Sequence, residues 1–560
     1  MSMSTRPRLK RRKVAPIVAL AATGVVAVGG IAVLSGCGST ASAGSAPASI
    51  AGYIPASSPL YVQVSTDTEG TQWTNLNRLG KLFPGFGEMR AELNKSLSRE
   101  GIAWDTDLKP LLGDTAAVAV TEVPDTESVA KGALTDPAGA VGRAAAKAAD
   151  QPMMAVLQIA PGKSADIKAL ITRPPGGMKE TGTQDGATLY ADVAMGTYAA
   201  VTDESLILGS TEAVVKQALE VKAAGGDAAL SGVFRFNEAL SLLPDDVFAM
   251  GYVNVEEAGR AASEVIPQVG DLAGGQITGA AAMSVTAQPD GLRMKAVLVD
   301  APQAAQQTPY TPTLTAQAPA DAVAYLGFNR LADTVQRAVS AASSEGSEDT
   351  KKQIDALTAQ LPLLLGVNAD DLRNLTGGEH AVVVGGAGKT PEAALALQVK
   401  SGAQATESLT ALSKSVPVVL RQFGPDDAKI GKATPFAENG VKGQVIPADD
   451  MSVAWGVRGD LAAIGNGAKA VASVLAPRAA GNSLAATPAF KAATQGMPDQ
   501  VTGLAYLDVR KAVPIMAANG AFEGKDGARK RADIAPLTQV AAWATAGETP
   551  TVEVYVGMGK

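Results

Sequence analysis

Pro55-Ala56-Ser57-Ser58-Pro59-Leu60-Tyr61 returns 264 residues later as Pro319-Ala320-Asp321-Ala322-Val323-Ala324-Tyr325. Outward from this pair, further segments echo one another in the same order. Leu111-Leu112-Gly113-Asp114, ahead of an apolar run, matches Thr376-Gly377-Gly378-Glu379 ahead of Ala381 to Val384, at an offset of 265. Leu157-Gln158-Ile159 matches Leu397-Gln398-Val399 at 240, and Leu206-Ile207-Leu208-Gly209 matches Ala462-Ala463-Ile464-Gly465 at 256. Pro244-Asp245 through Tyr252-Val253-Asn254-Val255 matches Pro498-Asp499 through Tyr506-Leu507-Asp508-Val509 at 254. No single match carries weight, but the ordered series favours an internal duplication over chance. The fall from 265 to 240 places an insertion of about 25 residues in the first copy, in the Ala/Gly/Asp-rich stretch Pro124 to Asp150. The rise to 256 places an extra segment near Val416 to Asn439 in the second copy.

Within each copy the hydrophobic pattern mixes a period of two with the helical period. Strands are predicted at Tyr61 to Ser65, Ala116 to Glu122, Met153 to Ile159, Thr188 to Val193, Ala199 to Thr202 and Leu206 to Leu208. Three more follow at Val247 to Val255, Ala280 to Thr286 and Leu292 to Leu298. Helices are predicted at Glu88 to Leu97, Ala165 to Ile171, Thr211 to Ala223 and Glu256 to Val265. Links such as Gln288-Pro289-Asp290-Gly291 are too short for a parallel crossover, so the strands they join pair antiparallel. The predicted class is α+β: two tandem, internally duplicated modules with largely antiparallel sheets flanked by helices. The modules are residues 53–300 and 319–560, joined by a Pro/Gln/Thr/Ala linker at 301–318.

Ahead of the first module, Arg6, Arg8, Lys10, Arg11, Arg12 and Lys13 precede an apolar or small run from Val14 to Val33. Leu34-Ser35-Gly36-Cys37 closes that run and holds the only cysteine of the chain. A basic flank, an apolar run and small residues before a cleavage point are the parts of an export signal. The four residues read as a lipobox, with a signal peptide at 1–36, cleavage between Gly36 and Cys37, and lipid attachment at the Cys37 thiol. A flexible Ser/Ala/Gly-rich tether is expected at 37–52. The run of about 20 residues could also span a bilayer uncut, so an uncleaved N-terminal helix is the alternative anchor. Both readings place the body outside the cytoplasm, because the basic flank stays inside. The third reading, a buried apolar thiol in a cytosolic protein, fits poorly with a cysteine at the end of such a run. Once Cys37 carries lipid, no thiol remains for a disulfide.

The lipobox, the opening Tyr53-Ile54-Pro55-Ala56-Ser57-Ser58-Pro59-Leu60-Tyr61-Val62 and the repeated α+β pattern together resemble the bacterial family called domain of unknown function 3352. The resemblance covers nearly the whole mature chain. It implies an envelope lipoprotein and brings no catalytic residues and no cofactor.

The mature chain of 524 residues, Cys37 to Lys560, is too long for one typical core. Hydrophobic residues at 46% with charged residues at 18% describe a globular body, and aromatics at 4% leave its core to small aliphatic side chains. Loss of six basic residues takes the formal charge from −7 to −13. Phosphate binding needs a basic footprint, so nucleic acid is excluded as a partner. An acidic body is also repelled by anionic headgroups, leaving the anchor to hold it at the membrane.

The search for chemistry yields structural readings. His380 is the only histidine, in Gly378-Glu379-His380-Ala381 at a predicted strand entry, where the first copy reads Gly113-Asp114-Thr115-Ala116. One histidine and one lipidated cysteine cannot assemble a zinc site. Gly385-Gly386-Ala387-Gly388-Lys389-Thr390 lacks the first glycine of a phosphate loop, since that position is Val383, and it reads as a hairpin turn. Ser128-Val129-Ala130-Lys131 has the S-x-x-K spacing of penicillin-recognising enzymes but lies in the low-complexity insertion, without S-D-N or K-T-G. Gly209-Ser210-Thr211 and Gly465-Asn466-Gly467 read as a turn glycine followed by an N-cap, Ser210 or Thr211 in one copy and Asn466 in the other; anion binding there is the weaker alternative. Asn254 and Asp508 receive the same structural reading. Asp245-Asp246, Asp370-Asp371, Asp426-Asp427 and Asp449-Asp450 lack EF-hand spacing and read as solvated loop charges. Four tryptophans offer little stacking surface for sugars.

The expectation is a non-enzymatic envelope lipoprotein that binds or scaffolds a partner, such as another envelope protein, at the outer face of the membrane. No metal, cofactor or catalytic residue is assigned. A carrier of an apolar or lipid ligand in a cavity of the modules is the second reading. A carboxylate-based or Ser/Lys hydrolase is the third.

Overall fold

The computed structural model describes residues 50–99, 101–121, 152–174, 177–193, 196–256, 279–300, 308–330, 369–386, 390–423, 430–448, 451–479 and 481–559. Leu34 to Cys37, Pro124 to Asp150 with Ser128 to Lys131, nearly all of the predicted helix Glu256 to Val265, and the pairs Asp426-Asp427 and Asp449-Asp450 lie outside them.

The first half contributes β1 (Leu60–Ser65), β2 (Leu112–Val120), β3 (Met153–Ile159), β4 (Lys179–Gln184) and β5 (Ala187–Asp192). It continues with β6 (Thr197–Val201), β7 (Ser205–Gly209), β8 (Ala249–Asn254), β9 (Ala280–Gln288) and β10 (Gly291–Val299). The second half contributes β11 (Ala324–Asn329), β12 (Glu379–Gly385), β13 (Glu392–Gln398), β14 (Thr434–Glu438) and β15 (Val441–Ala448). It ends with β16 (Met451–Arg458), β17 (Leu461–Gly465), β18 (Gly503–Asp508), β19 (Leu537–Thr545) and β20 (Thr551–Met558).

Every pairing is antiparallel. The hydrogen-bonded order in the first half is β4-β5-β6-β7-β3-β2-β1-β8-β9-β10. In the second it is β14-β15-β16-β17-β13-β12-β11-β18-β19-β20, strand for strand the same order. The edge strands β10 and β20 pair with each other, Arg293 opposite Tyr555 and Ala296 opposite Val552. One sheet therefore runs unbroken from β4 to β14, and neither half leaves that edge exposed for unwanted pairing.

Local turn chemistry explains the hairpins. Asp185-Gly186 joins β4 to β5 and Asn439-Gly440 joins β14 to β15, with φ of 49° and 80°, and 51° and 77°. Two-residue loops with positive φ at both positions match the strand twist, and Asp-Gly and Asn-Gly are the pairs that tolerate them. The ladders also correct the sequence alignment by one residue. Val62 faces Val118 and Leu326 faces Val382, so the common offset is 264 at β2 and β12. Glu379 thus aligns with Thr115, and His380 aligns with Ala116 and not with Thr115. Because strand side chains alternate, that one residue decides which face of the sheet each occupies.

On one face, Tyr61 sits opposite Ala119 and Tyr252, and Tyr325 sits opposite Val383 and Tyr506. All four tyrosines are buried. The helices Glu212–Ala224 and Phe234–Ser241 cover this face in the first half, and Ala468–Leu475 and Pro488–Ala493 cover it in the second. Phe236 meets Tyr61 and Tyr252 edge-on at 5.5 and 5.0 Å, and Phe490 meets Tyr506 in the same manner at 5.2 Å. Such edge-to-face contacts add specificity to the burial of large rings. On the opposite face, Ser164–Ile171 packs over Ala155, Leu206 and Leu208, and Gly402–Phe423 packs over Leu397, Trp455 and Ala462. The first of these helices has 8 residues and the second 22, and the second runs into the stretch from Val416 where the sequence pattern predicts extra length.

The two expected connectors are partly structured. Ile50 and Ala51, at the end of the expected tether, are buried in the first core. Pro55 bridges Ala229, and Leu230 N donates to the Ile54 carbonyl. In the expected linker, Tyr310 bridges Val501, a short 3-10 turn spans Thr313–Ala316, and Leu314 and Ala318 are buried. The reason is that Ile50, Tyr310 and Leu314 are large apolar or aromatic side chains set in small and polar surroundings, and the core recruits them.

Candidate functional site

A buried polar cluster is built on β12. Glu379 Oε2 accepts from Thr313 N at 2.8 Å and from Thr313 Oγ1 at 2.6 Å. Leu314 N lies 3.0 and 3.1 Å from the two carboxylate oxygens, and the Tyr325 hydroxyl donates to Oε1 at 3.3 Å. The carboxylate thereby caps the 3-10 turn, whose first N–H groups have no partner within the turn. Two hydroxyls crowd the backbone beside it. A Cβ on Gly327 would stand 2.8 Å from the Tyr325 hydroxyl oxygen and 2.9 Å from that of Tyr310, so glycine is required there. The Tyr310 hydroxyl has no hydrogen-bond partner among the described residues. In the first half Gln63 occupies the place of Gly327, and the Tyr61 hydroxyl donates to its Oε1 at 2.5 Å. The same buried tyrosine is thus satisfied along its own strand in one half and from the neighbouring strand in the other.

Burial raises the Glu379 carboxyl above the usual carboxylate range, against the lowering effect of its donors. Burial, and then the Glu379 charge, push the Tyr310 and Tyr325 hydroxyls up. Every oxygen of Glu379 is engaged in holding the turn, which leaves it a structural cap and not a poised base.

His380, next along β12, points to the opposite face, so it cannot form a dyad with Glu379. Its ring stacks on Phe328 at 5.6 Å and 13°, and its Nε2 lies 3.0 Å from the Leu375 carbonyl oxygen. A carbonyl only accepts, so Nε2 carries the proton in this contact. Burial is the main cause holding the His380 pKa below its ordinary value.

The strand-to-helix junctions divide their roles differently from expectation. Thr211 is the N-cap, accepting from Val214 N at 3.2 Å, while Ser210 Oγ accepts from Met153 N at 3.1 Å. Asn466 is not a cap; the cap position is Gly467. Asn466 Oδ1 accepts from Ala393 N at 2.9 Å and Nδ2 donates to the Pro391 carbonyl at 2.7 Å. Ser210 and Asn466 therefore clamp the start of the adjacent strand, β3 or β13. Asp508 caps the helix Val509–Ala518 through Lys511 N at 3.1 Å, while Asn254 ends β8.

Of the acidic pairs, Asp370 contacts Arg373 at 2.8 Å and Asp371 accepts from Gln404. The Asp246 carbonyl accepts from Gln72, and Asp245 lies in the same turn. Among the described residues no group of acidic, histidine or cysteine side chains is arranged to hold a metal ion. Gly385 pairs with Glu392, so the glycine-rich segment after β12 connects a hairpin, and residues 387–389 lie outside the described set.

A second charged cluster marks the join between the halves. The Arg293 guanidinium on β10 lies 5.4 Å from the Trp543 ring and 5.2 Å from the Tyr555 ring, with Glu553 at 3.7 Å. Burial is the main cause raising the Glu553 carboxyl, and the Arg293 charge opposes it. Sequence reasoning passed over Arg293, Glu553 and Glu379. The available signal was a charged residue within an alternating apolar strand.

A family model described as a protein of unknown function, DUF3352, matches residues 16–528. The chain belongs to this family. The matched span takes in the apolar run from residue 16, Leu34 to Cys37, the Glu379 site and Arg293, while Trp543, Glu553 and Tyr555 beside Arg293 lie beyond it. Crystal forms III and I of TP0453 are similar over 44% of the chain, at 10% and 11% identity and a TM-score of 0.24. The similarity covers 78% and 77% of those chains. No curated protein matches the chain.

Proposed function

We propose that this chain is an exported envelope lipoprotein, an internally duplicated α+β body that binds or scaffolds a partner at the outer face of the membrane. The observation that carries the reading is Leu34-Ser35-Gly36-Cys37 closing an apolar run behind six basic residues. Three features of the body support it. The strand order of the first half is repeated in the second, and β10–β20 joins both into one extended sheet. The buried ionisable groups serve the fold: Glu379 caps a turn, His380 stacks on Phe328, and Arg293 holds the join. Ile50 is already packed into the core, so only the thirteen residues from Cys37 to Ser49 separate the lipid from the body. No described helix is long and apolar enough to cross a membrane, and Val14 to Val33 lies outside the described residues.

The test is the mass of the N-terminal peptide of the protein isolated from intact cells, coupled to cross-linking in the same membranes. A diacylated Cys37 at the N-terminus, with a reproducible cross-linked partner, is expected. An unmodified Cys37 in a full-length chain refutes the lipid anchor. An apolar-ligand carrier needs an open interior, whereas Tyr61, Phe236 and Tyr252 fill the space between the sheet and its helices in the first half.

A further inference from the structure

The helices Thr71–Gly80 and Phe86–Arg99 are joined by a turn, Lys81-Leu82-Phe83-Pro84-Gly85, which is the tip of this segment. Its base is fixed: Gln72 Nε2 donates to the Asp246 carbonyl, Gln72 Oε1 accepts from Ala287 N, and Trp73 donates to the Ser65 carbonyl. Among the described residues no hydrogen bond joins the tip to the sheet. The tip surrounds a hollow of about 420 Å³ lined by Lys81, Leu82, Phe83, Pro84, Phe86 and Arg90. Pro84, Gly85, Lys81 and Arg90 are exposed, Leu82, Phe83 and Phe86 are half-buried, and Met89 is 46% exposed. Several N–H groups of the tip are bonded within the segment: Lys81 N to Asn77 O, Leu82 N to Leu79 O, Phe83 N to Gly80 O and Phe86 N to Phe83 O.

We infer that this tip docks into the headgroup region of an anionic lipid bilayer, with Leu82, Phe83, Phe86 and Met89 entering the interface and Arg78, Lys81 and Arg90 meeting lipid phosphates. The inference rests on the exported, membrane-anchored reading. Charge is the first argument. From Arg78 to Arg90 the only acidic residue is Glu88, giving +2 locally on a body whose formal charge after cleavage is −13. An acidic body repelled by anionic lipid presents such a lipid only with a basic patch, and aromatic side chains flanked by basic ones are suited to the interface. The internal bonds of Lys81, Leu82 and Phe83 N–H reduce the number of polar groups carried into a poorly hydrated layer, and the headgroup region still supplies water and phosphate to the rest. Reach is the second argument. Thirteen residues from Cys37 to Ser49 span at most about 45 Å, which is the breadth of a body of one half's size. The anchor holds this segment within range of the bilayer it is attached to.

The full-length Gly85→Cys protein, purified from membranes and labelled with an environment-sensitive fluorophore, tests this in vesicles of phosphatidylcholine with phosphatidylglycerol and of phosphatidylcholine alone. Space around Gly85 is open, so the probe leaves the fold intact. Lys442→Cys, an exposed position on β15, is the control. The expected result is a blue shift and quenching by brominated acyl chains at position 85 but not at 442, stronger on the anionic vesicles. Lys81→Ala with Arg90→Ala weakens docking by roughly thirty-fold, the share of two basic residues near an anionic surface. A position-85 probe that stays in water on both vesicles overturns the inference. So does a blue shift that is present without vesicles, which means a second copy covers the tip. The mass of the N-terminal peptide is read on the same sample, so a failed tip with an acylated Cys37 leaves the anchor standing.

Discussion

Replacing Glu379 with alanine strips the cap from the 3-10 turn Thr313–Ala316 and shows how the expected linker is held. The Leu314 N–H and the Thr313 hydroxyl lose their acceptor, while Thr313 N keeps a contact to the Thr311 carbonyl at 2.8 Å. Tyr325 loses a bond of 3.3 Å and joins Tyr310 as a second unsatisfied hydroxyl beside Gly327. A buried donor left without a partner costs about 1–3 kcal/mol. Two strongly bonded donors and one weak one therefore give a loss of about 3–5 kcal/mol, a large part of a typical stability of about 5–15 kcal/mol. Urea unfolding at constant m, with hydrogen exchange at Leu314, reads this directly. Glu379→Gln keeps an acceptor and loses less. The wild-type protein carries a pH signature at the same site. Burial raises the Glu379 pKa, so folding binds a proton between the ordinary carboxylate range and the raised value. Stability falls as pH rises through that window and levels off above it, and the alanine variant lacks this slope. A loss below about 1 kcal/mol, with Leu314 as protected as in the wild type, refutes the capping role.

Three further outcomes follow from the same contacts. His380 is held neutral by burial, so below its ordinary value of 6.5 the unfolded chain binds the proton first; stability falls as pH drops through that window, and His380→Leu flattens this acid limb in a urea titration. Arg293→Ala removes the cation beside the Trp543 and Tyr555 rings and leaves Glu553 with Lys295 as its remaining counter-charge, lowering stability by about 2 kcal/mol, with exchange rising first along β10 and β20. Thr211→Ala costs about 1 kcal/mol through the lost cap, read from the melting temperature, whereas Ser210→Ala weakens the β3 start instead.

The strands most legible in the sequence were those with apolar alternation and a turn beside them. Met153–Ile159 falls where it was expected, and β9 and β10 flank Pro289-Asp290 as predicted. Lys179–Gln184 was missed because KETGTQ has no apolar side chain to report a pleat; it is the outermost strand, defined by its Asp-Gly turn and its partner. Thr71–Gly80 was missed because its apolar stripe is thin: Trp73 and Leu76 pack against the core and Leu79 is buried, but polar residues separate them, and Gln72 and Trp73 are held by bonds to distant backbone. The junction motifs were found, but Ser210, Thr211 and Asn466 could not be assigned roles without knowing which strand lay alongside.

What the sequence determined by itself is local or compositional: the apolar run closed by Leu34 to Cys37, the ordered echoes at offsets from 240 to 265, the antiparallel links and the acidic balance. Periodicity and turn residues act over a few neighbours, so they can be read from the chain. The tertiary structure decided the one-residue register that puts Glu379 and His380 on opposite faces, and the recruitment of Ile50 and Leu314 into the cores. It also decided that β10 and β20 close against each other, 256 residues apart in the chain for the pair Ala296 and Val552. Those outcomes depend on pairings between distant segments, where one residue of slip exchanges the buried face for the exposed one.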